Sequence, residues 1–275
     1  MQMRGSKNTN HSRKLLWCKI MKIDEVILSP FNQSKVHSDK LLLQNTKHNS
    51  ANIFSDHHNM PKQRYSNNDQ QIAIARQLAN ECDSVDALRS AVQSFSGCGL
   101  KEDAINTVFA DGNRQATIVA IGEAPGAQED KLGIPFCGES GKLLDKMFAS
   151  IGLTRRDNIY ITNTVFWRPP NNRRPTLQEL ELCKPFVEKH IALINPKLLI
   201  LVGATALEAL LQSEIKITSA RQKFFMYNNQ YLTAPISATP IFHPAYLLRQ
   251  PDQKKLAWDD LQKIRIWLTE HHIMI

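Results

Sequence analysis

Residues 117–141, TIVAIGEAPGAQEDKLGIPFCGESG, begin as a short apolar run and break into a turn rich in glycine and proline. The run TIVAIG (117–122) reads as a buried strand, because its apolar side chains are continuous and turn residues bound it. Three further runs share that character: NIYITNT (158–164), KLLILVG (197–203) and SATPIF (237–242). Helical patterns stand between them, GKLLDKMFASIG, TLQELELCKPFVEKHIALI and ATALEALL, with DQKKLAWDDLQKIRIWLTEH after the last. Strands that alternate with helices and are apolar throughout predict a four-stranded, mostly parallel sheet covered on both faces, a three-layer α/β/α sandwich. Upstream, residues 67–95 carry apolar side chains at helical spacing as far as Gly97.

In sheets of this kind ligands bind beyond the carboxyl ends of the strands. The residues that follow the four runs are GEAPG, TNTVFWRPPNNRRPT, VGATA and FHPAYLLRQP. GIPFCGES (133–140) imitates a phosphate-binding loop but has Glu139 where the lysine belongs, so nothing would reach the terminal phosphates. GEAPG also fails the dinucleotide fingerprint G-x-G-x-x-G. The stretch reads better as a pocket wall. Gly122 and Gly126 allow a sharp turn, Pro125 stiffens it, and Phe136 offers a flat apolar face for a planar ring.

The formal charge of +8 suggests a polyanionic partner until it is located along the chain. Residues 1–65 hold 11 lysines and arginines against 4 acids, and residues 66–275 hold 23 against 22. The excess sits in the N-terminal segment, whose polar, aperiodic composition predicts a disordered extension; residues 66–275 form the folded domain. A DNA-attracting basic tail is the functional alternative for that extension. The five cysteines are odd in number, scattered and without a C-x-x-C pair, which argues against a disulfide framework or a zinc ribbon. No apolar run approaches the roughly 20 residues of a membrane span, so a cytoplasmic, monomeric protein is expected.

VFADGN, GEAPGAQEDKLGIPFCGESGKLLDKM, YITNTVFWRPPNNRRPT and IFHPAYLLRQP, in that order across about residues 70–270, resemble the uracil-DNA glycosylases, specifically family four, the iron–sulfur type. The resemblance implies removal of uracil from DNA, with DNA as partner. It places Glu123 and the Ala124 backbone beside the uracil and its attacking water, and Glu129 near the base's C5. Phe136 matches the stacking ring, Asn163 the reader of the Watson–Crick edge, and His243 the histidine of the second catalytic motif. Tyr246, Leu247 and Leu248 fall in the loop that enters the minor groove. Arg168, Arg173 and Arg174 stand where they could contact phosphates.

The residue types suit the reaction. A base must leave the stack to be read by stacking and edge hydrogen bonds, and an asparagine can donate to a carbonyl while accepting from the ring N–H. A donor at the uracil O2, His243, stabilises the leaving anion, and Glu123 can stabilise the sugar cation or orient water. The aspartate that other uracil glycosylases use for the water step is Ala124 here. Each residue alone also admits a plainer role, as a cap, a turn former or a solvated charge.

Four cysteines hold the cluster in the resembling family; the corresponding positions here are Phe95, Cys98, Trp167 and Cys183. Two thiolates cannot supply four ligands, so no cofactor is expected, the aromatic rings filling the vacated volume and the two cysteines remaining as reduced thiols. A broader glycosylase acting on hypoxanthine or xanthine and a noncatalytic DNA-binding or polymerase-associated module are the rival readings.

Overall fold

The computed structural model describes Trp17 and residues 67–212 and 214–273. Two helices lead, α1 (Asn67–Glu81) and α2 (Val85–Ser94), then a single turn α3 (Leu100–Asp103). The sheet comprises β1 (Asp111–Gly112), β2 (Ile118–Gly122), β3 (Ile159–Asn163), β4 (Leu198–Val202), β5 (Phe225–Tyr227) and β6 (Ile236–Ile241), in the spatial order β1-β3-β2-β4-β6-β5. The central four are the strands expected from the sequence, and they pair in parallel. The sheet is wider than expected, because β1 and β5 add short antiparallel edges. Strands of two and three residues carry no alternation that a sequence reading can detect.

The crossovers are helical: α4 (Ala127–Leu132) and α5 (Glu139–Ala149) join β2 to β3, α6 (Leu177–Ile194) joins β3 to β4, and α7 (Ala204–Leu211) and α8 (Ile217–Ala220) follow β4. After β6 come α9 (Pro244–Arg249) and α10 (Lys254–Glu270). Successive strand residues face opposite sides, and each side has its own core. Val119, Ile121, Leu199 and Leu201 pack in one core with residues of α1, α2, α6 and α7. Ile118, Ala120, Leu198 and Ile200 pack in the other with residues of α5, α9 and α10. This is the three-layer arrangement.

The reading of residues 1–65 as disordered lies outside the described residues except at Trp17. That side chain is buried, its ring 5.1 Å from that of Trp258 in α10. Trp17 sits in the short apolar stretch LLWCKIM (15–21), which the polar composition of residues 1–65 as a whole hid from the sequence reading.

Candidate active site

The carboxyl ends of β2, β3 and β6 deliver Glu123, Asn163 and His243 to one edge of the sheet. A cleft of about 470 Å³ opens there, lined by Glu123, Ala124, Glu129, Phe136, Arg173 and His243 among others. Asn163 ends β3 with its side chain 1% exposed, and neither its Oδ1 nor its Nδ2 has a hydrogen-bond partner. Asn163 does not itself line the cleft, but buried amides are almost always paired, so an orphaned carboxamide beside the cleft-lining Phe136 marks a place for a ligand. Phe136 converges on the same spot. A Cβ built on Gly122 would lie 2.3 Å from Phe136 Cζ and 2.5 Å from Asn163 Oδ1, so only glycine lets the two close over the end of β2.

His243 caps α9, its Nδ1 accepting from the Ala245 amide at 3.1 Å. A neutral ring with Nδ1 as acceptor carries its proton on Nε2, which leaves an N–H donor for the cleft. Burial, reinforced by the Arg249 cation, pushes the imidazole down to about 4, so the ring is uncharged at neutral pH. Glu123 is anchored on both sides: its Oε2 accepts from Thr205 Oγ1, and its carbonyl accepts from Thr164 Oγ1. Sequence reasoning missed both threonines, although each stands within three residues of a strand end. Glu129 lines the cleft but also works as a brace, since Oε2 accepts from the Gly126 amide (3.1 Å) and Oε1 from the Gly138 amide (2.8 Å).

A family model described as the Uracil DNA glycosylase superfamily matches residues 109–262. The chain belongs to that superfamily. It is 36% identical to the Type-4 uracil-DNA glycosylase of Sulfurisphaera tokodaii over 187 residues, 66% of this chain and 84% of that protein. The Type-4 uracil-DNA glycosylase of Archaeoglobus fulgidus is 36% identical over 184 residues, 66% of this chain and 92% of its own. A DNA polymerase of Bacillus phage SP01 is 27% identical over 163 residues, which cover 59% of this chain but 17% of the polymerase.

The uracil-DNA glycosylase domain presents its arginine loop with every guanidinium engaged. Arg168 donates to Asn172 Oδ1 at 2.7 Å, Arg173 makes a two-pronged pair with Glu179 (2.6 and 2.8 Å), and Arg174 pairs with Glu208. The sequence expectation for PAYLLRQ needs correcting at one position. The segment is a short helix that turns Leu247 fully into the core, so Leu247 is not presented to DNA. Leu248 is exposed, while Tyr246 packs on Phe242 with ring centroids 5.0 Å apart and lines the cleft.

The four positions of the implied cluster lie together in one core. Phe95 meets Phe186 edge to face at 5.2 Å, and Trp167 Nε1 donates to Thr107 Oγ1 at 3.0 Å. Cys98 and Cys183, both fully buried, share a hydrogen bond that draws the Cys98 thiol down; the same bond, with burial, pushes Cys183 well up. A phenyl ring has no donor atom, and the indole nitrogen carries a hydrogen already committed to Thr107. These residues do not fit a cluster that requires four ligands.

Proposed function

We propose that this chain hydrolyses the N-glycosidic bond of deoxyuridine in DNA, releasing uracil and leaving an abasic site. The observation that carries the reading is the orphaned, buried carboxamide of Asn163 beside the Phe136 ring. Uracil offers it a carbonyl acceptor at O4 and a donor at N3, the complement of Nδ2–H and Oδ1; cytosine has an amine donor and an unprotonated N3 in the same places. The base enters flipped from the stack and lies against Phe136.

As the bond from C1′ to N1 breaks, the electron pair stays on the base and negative charge spreads to O2. The neutral His243 Nε2–H is a fixed donor to that charge, worth most in a partly buried site. Water adds to C1′, one proton goes to the departing uracil, and Glu123, held by Thr205 and Thr164, faces the developing sugar cation. With Ala124 in place of a second carboxylate, the rate rests on stabilising the anion more than on a strong general base.

The same reading has the fold working without an iron–sulfur cluster. It is supported by the donor set at positions 95, 98, 167 and 183, two thiols and two aromatic rings in close packing. Matched oligonucleotides containing uracil, hypoxanthine or no lesion, incubated with the protein and treated with alkali, test the activity. Free uracil and scission at uracil alone are expected; no release from the uracil strand would defeat the proposal.

A further inference from the structure

The ring proposed to stack on uracil stands on a backbone that its residue type resists. Phe136 has φ of 52°, in the left-handed region where a bulky side chain is an outlier. Such conformations persist only where the surroundings over-determine them. Gly141, in the first turn of α5, supplies part of the restraint: a Cβ there would lie 1.7 Å from the Phe136 carbonyl oxygen, so that carbonyl is seated directly on a bare backbone. Glu129 holds the far side of the loop through the Gly138 amide.

The rest comes from Arg155, in the turn between α5 and β3. Its Nη1 donates to the Pro135 carbonyl at 2.7 Å and its Nη2 to the Phe136 carbonyl at 2.5 Å. The remaining reach of the guanidinium goes to two acids, Nη1 to Asp111 (3.0 Å) and Nε to Asp145 (2.8 Å). Two consecutive carbonyls that point the same way repel each other, and a planar fork with donors on adjacent nitrogens answers both at once. The side chain is largely buried and does not line the cleft.

We propose that Arg155 is a positioning residue of the uracil site. Its guanidinium, oriented by Asp111 and Asp145, fixes the Pro135 and Phe136 carbonyls so that the Phe136 ring meets the base from its left-handed conformation. The inference rests on the reading of Phe136 as the stacking face. It places the control of base recognition partly in a residue some twenty positions away in sequence, on the other side of α5.

Four proteins decide it: Arg155→Gln, Arg155→Lys, Phe136→Ala and the double variant Arg155→Gln/Phe136→Ala. Arg155→Gln is expected to lower kcat/KM for uracil-containing DNA about 10- to 100-fold, the scale on which a misplacement of order 1 Å tells. Arg155→Lys, which keeps the charge and lacks the fork, recovers only part. In the Phe136→Ala background the Arg155 substitution costs no more than about twofold, because a residue acting through another has no effect once that other is gone. Losses that add instead would make Arg155 a general structural residue and overturn the proposal. Amide exchange over residues 134–138 is the second readout, expected to quicken at least about tenfold in either Arg155 variant while the central strands are unchanged. Equal exchange in wild type and both variants would also overturn it. Exchange needs no turnover, so a wild type that releases no uracil would sink the functional reading while the loop measurement still judged the clamp.

Discussion

Asn163→Leu separates what the site costs from what it does. Leucine nearly copies the shape of asparagine and removes both orphaned polar atoms. Each buried, unpaired donor or acceptor costs about 1–3 kcal/mol, and Asn163 holds one of each. Taking the lower bound for both gives about 2 kcal/mol of added stability on substitution. For a domain of this size that is a rise in Tm of about 4–8 °C. The same change removes two hydrogen bonds to a base that becomes negatively charged, at about 1.5–3 kcal/mol each, and so about 10²–10⁴ in kcat/KM. Differential scanning fluorimetry and a uracil-release assay on the same preparation read both numbers. Free uracil at a hundred times its Kd should stabilise wild type by about 2.7 kcal/mol and the variant not at all. A variant that melts below wild type, or cleaves within tenfold of it, would refute the assignment of Asn163 as a preorganised reader held at the expense of stability.

Four further outcomes follow from the site and its surroundings. The pH–rate profile should be flat from pH 8 down through 6.5, with no limb until about 4, because His243 works uncharged; stopped assays across that range check it, and a limb near 6.5 would mean an ordinary, exposed imidazole. Stability should fall as pH drops from 6.5 toward 4, since His243 and His190, the latter held down to about 3 by burial, take up protons in the unfolded chain first; urea unfolding at stepped pH measures it. Protein purified from iron-replete cells should show no broad visible absorption and no stoichiometric iron, and Arg173→Ala should reduce the salt dependence of DNA binding by about one charge, provided that a phosphate displaces Glu179 from its pair with Arg173.

The central strands and their carboxyl ends were legible because burial on both faces writes itself as continuous apolar runs, and because ligands collect where such strands stop. That logic marked the segments GEAPG, TNTVFWRPPNNRRPT and FHPAYLLRQP, and the family resemblance singled out Glu123, Asn163 and His243 within them. What it could not reach are contacts made across the fold. Glu129 reads as a pocket acid in sequence, yet its oxygens span Gly126 and Gly138 and set the spacing of the wall itself. Leu247 stands in a motif that reads as a DNA-facing loop, but the motif is helical and a helix must bury one side. Arg155 and its four acceptors lie between 10 and 44 residues apart in the chain, with no period that links them.

The two aromatic residues at the implied cluster positions bear on the arginine loop as well. Cys98 follows α2, Trp167 follows β3, and Cys183 lies within α6, so this core ties together three segments that no strand pairing connects. Between Trp167 and Cys183 runs the arginine loop. Truncating a buried phenylalanine or tryptophan costs about 3–5 kcal/mol, so Phe95 and Trp167 each contribute substantially to holding these segments together. The indole hydrogen bond ties Trp167, at the start of the loop, to Thr107, and the edge contact of Phe95 with Phe186 joins the end of α2 to α6. Beyond that point the loop is steadied by the Arg168–Asn172 hydrogen bond, by backbone turn bonds from Asn172 to Pro169 and from Arg173 to Pro170, and by two ion pairs, Arg173 on the half-buried Glu179 and Arg174 on Glu208. In the proposed DNA complex a packed root would leave Arg174 free to exchange its carboxylate for a phosphate, whereas Arg173 also lines the cleft, so an exchange there would reach the wall of the base site.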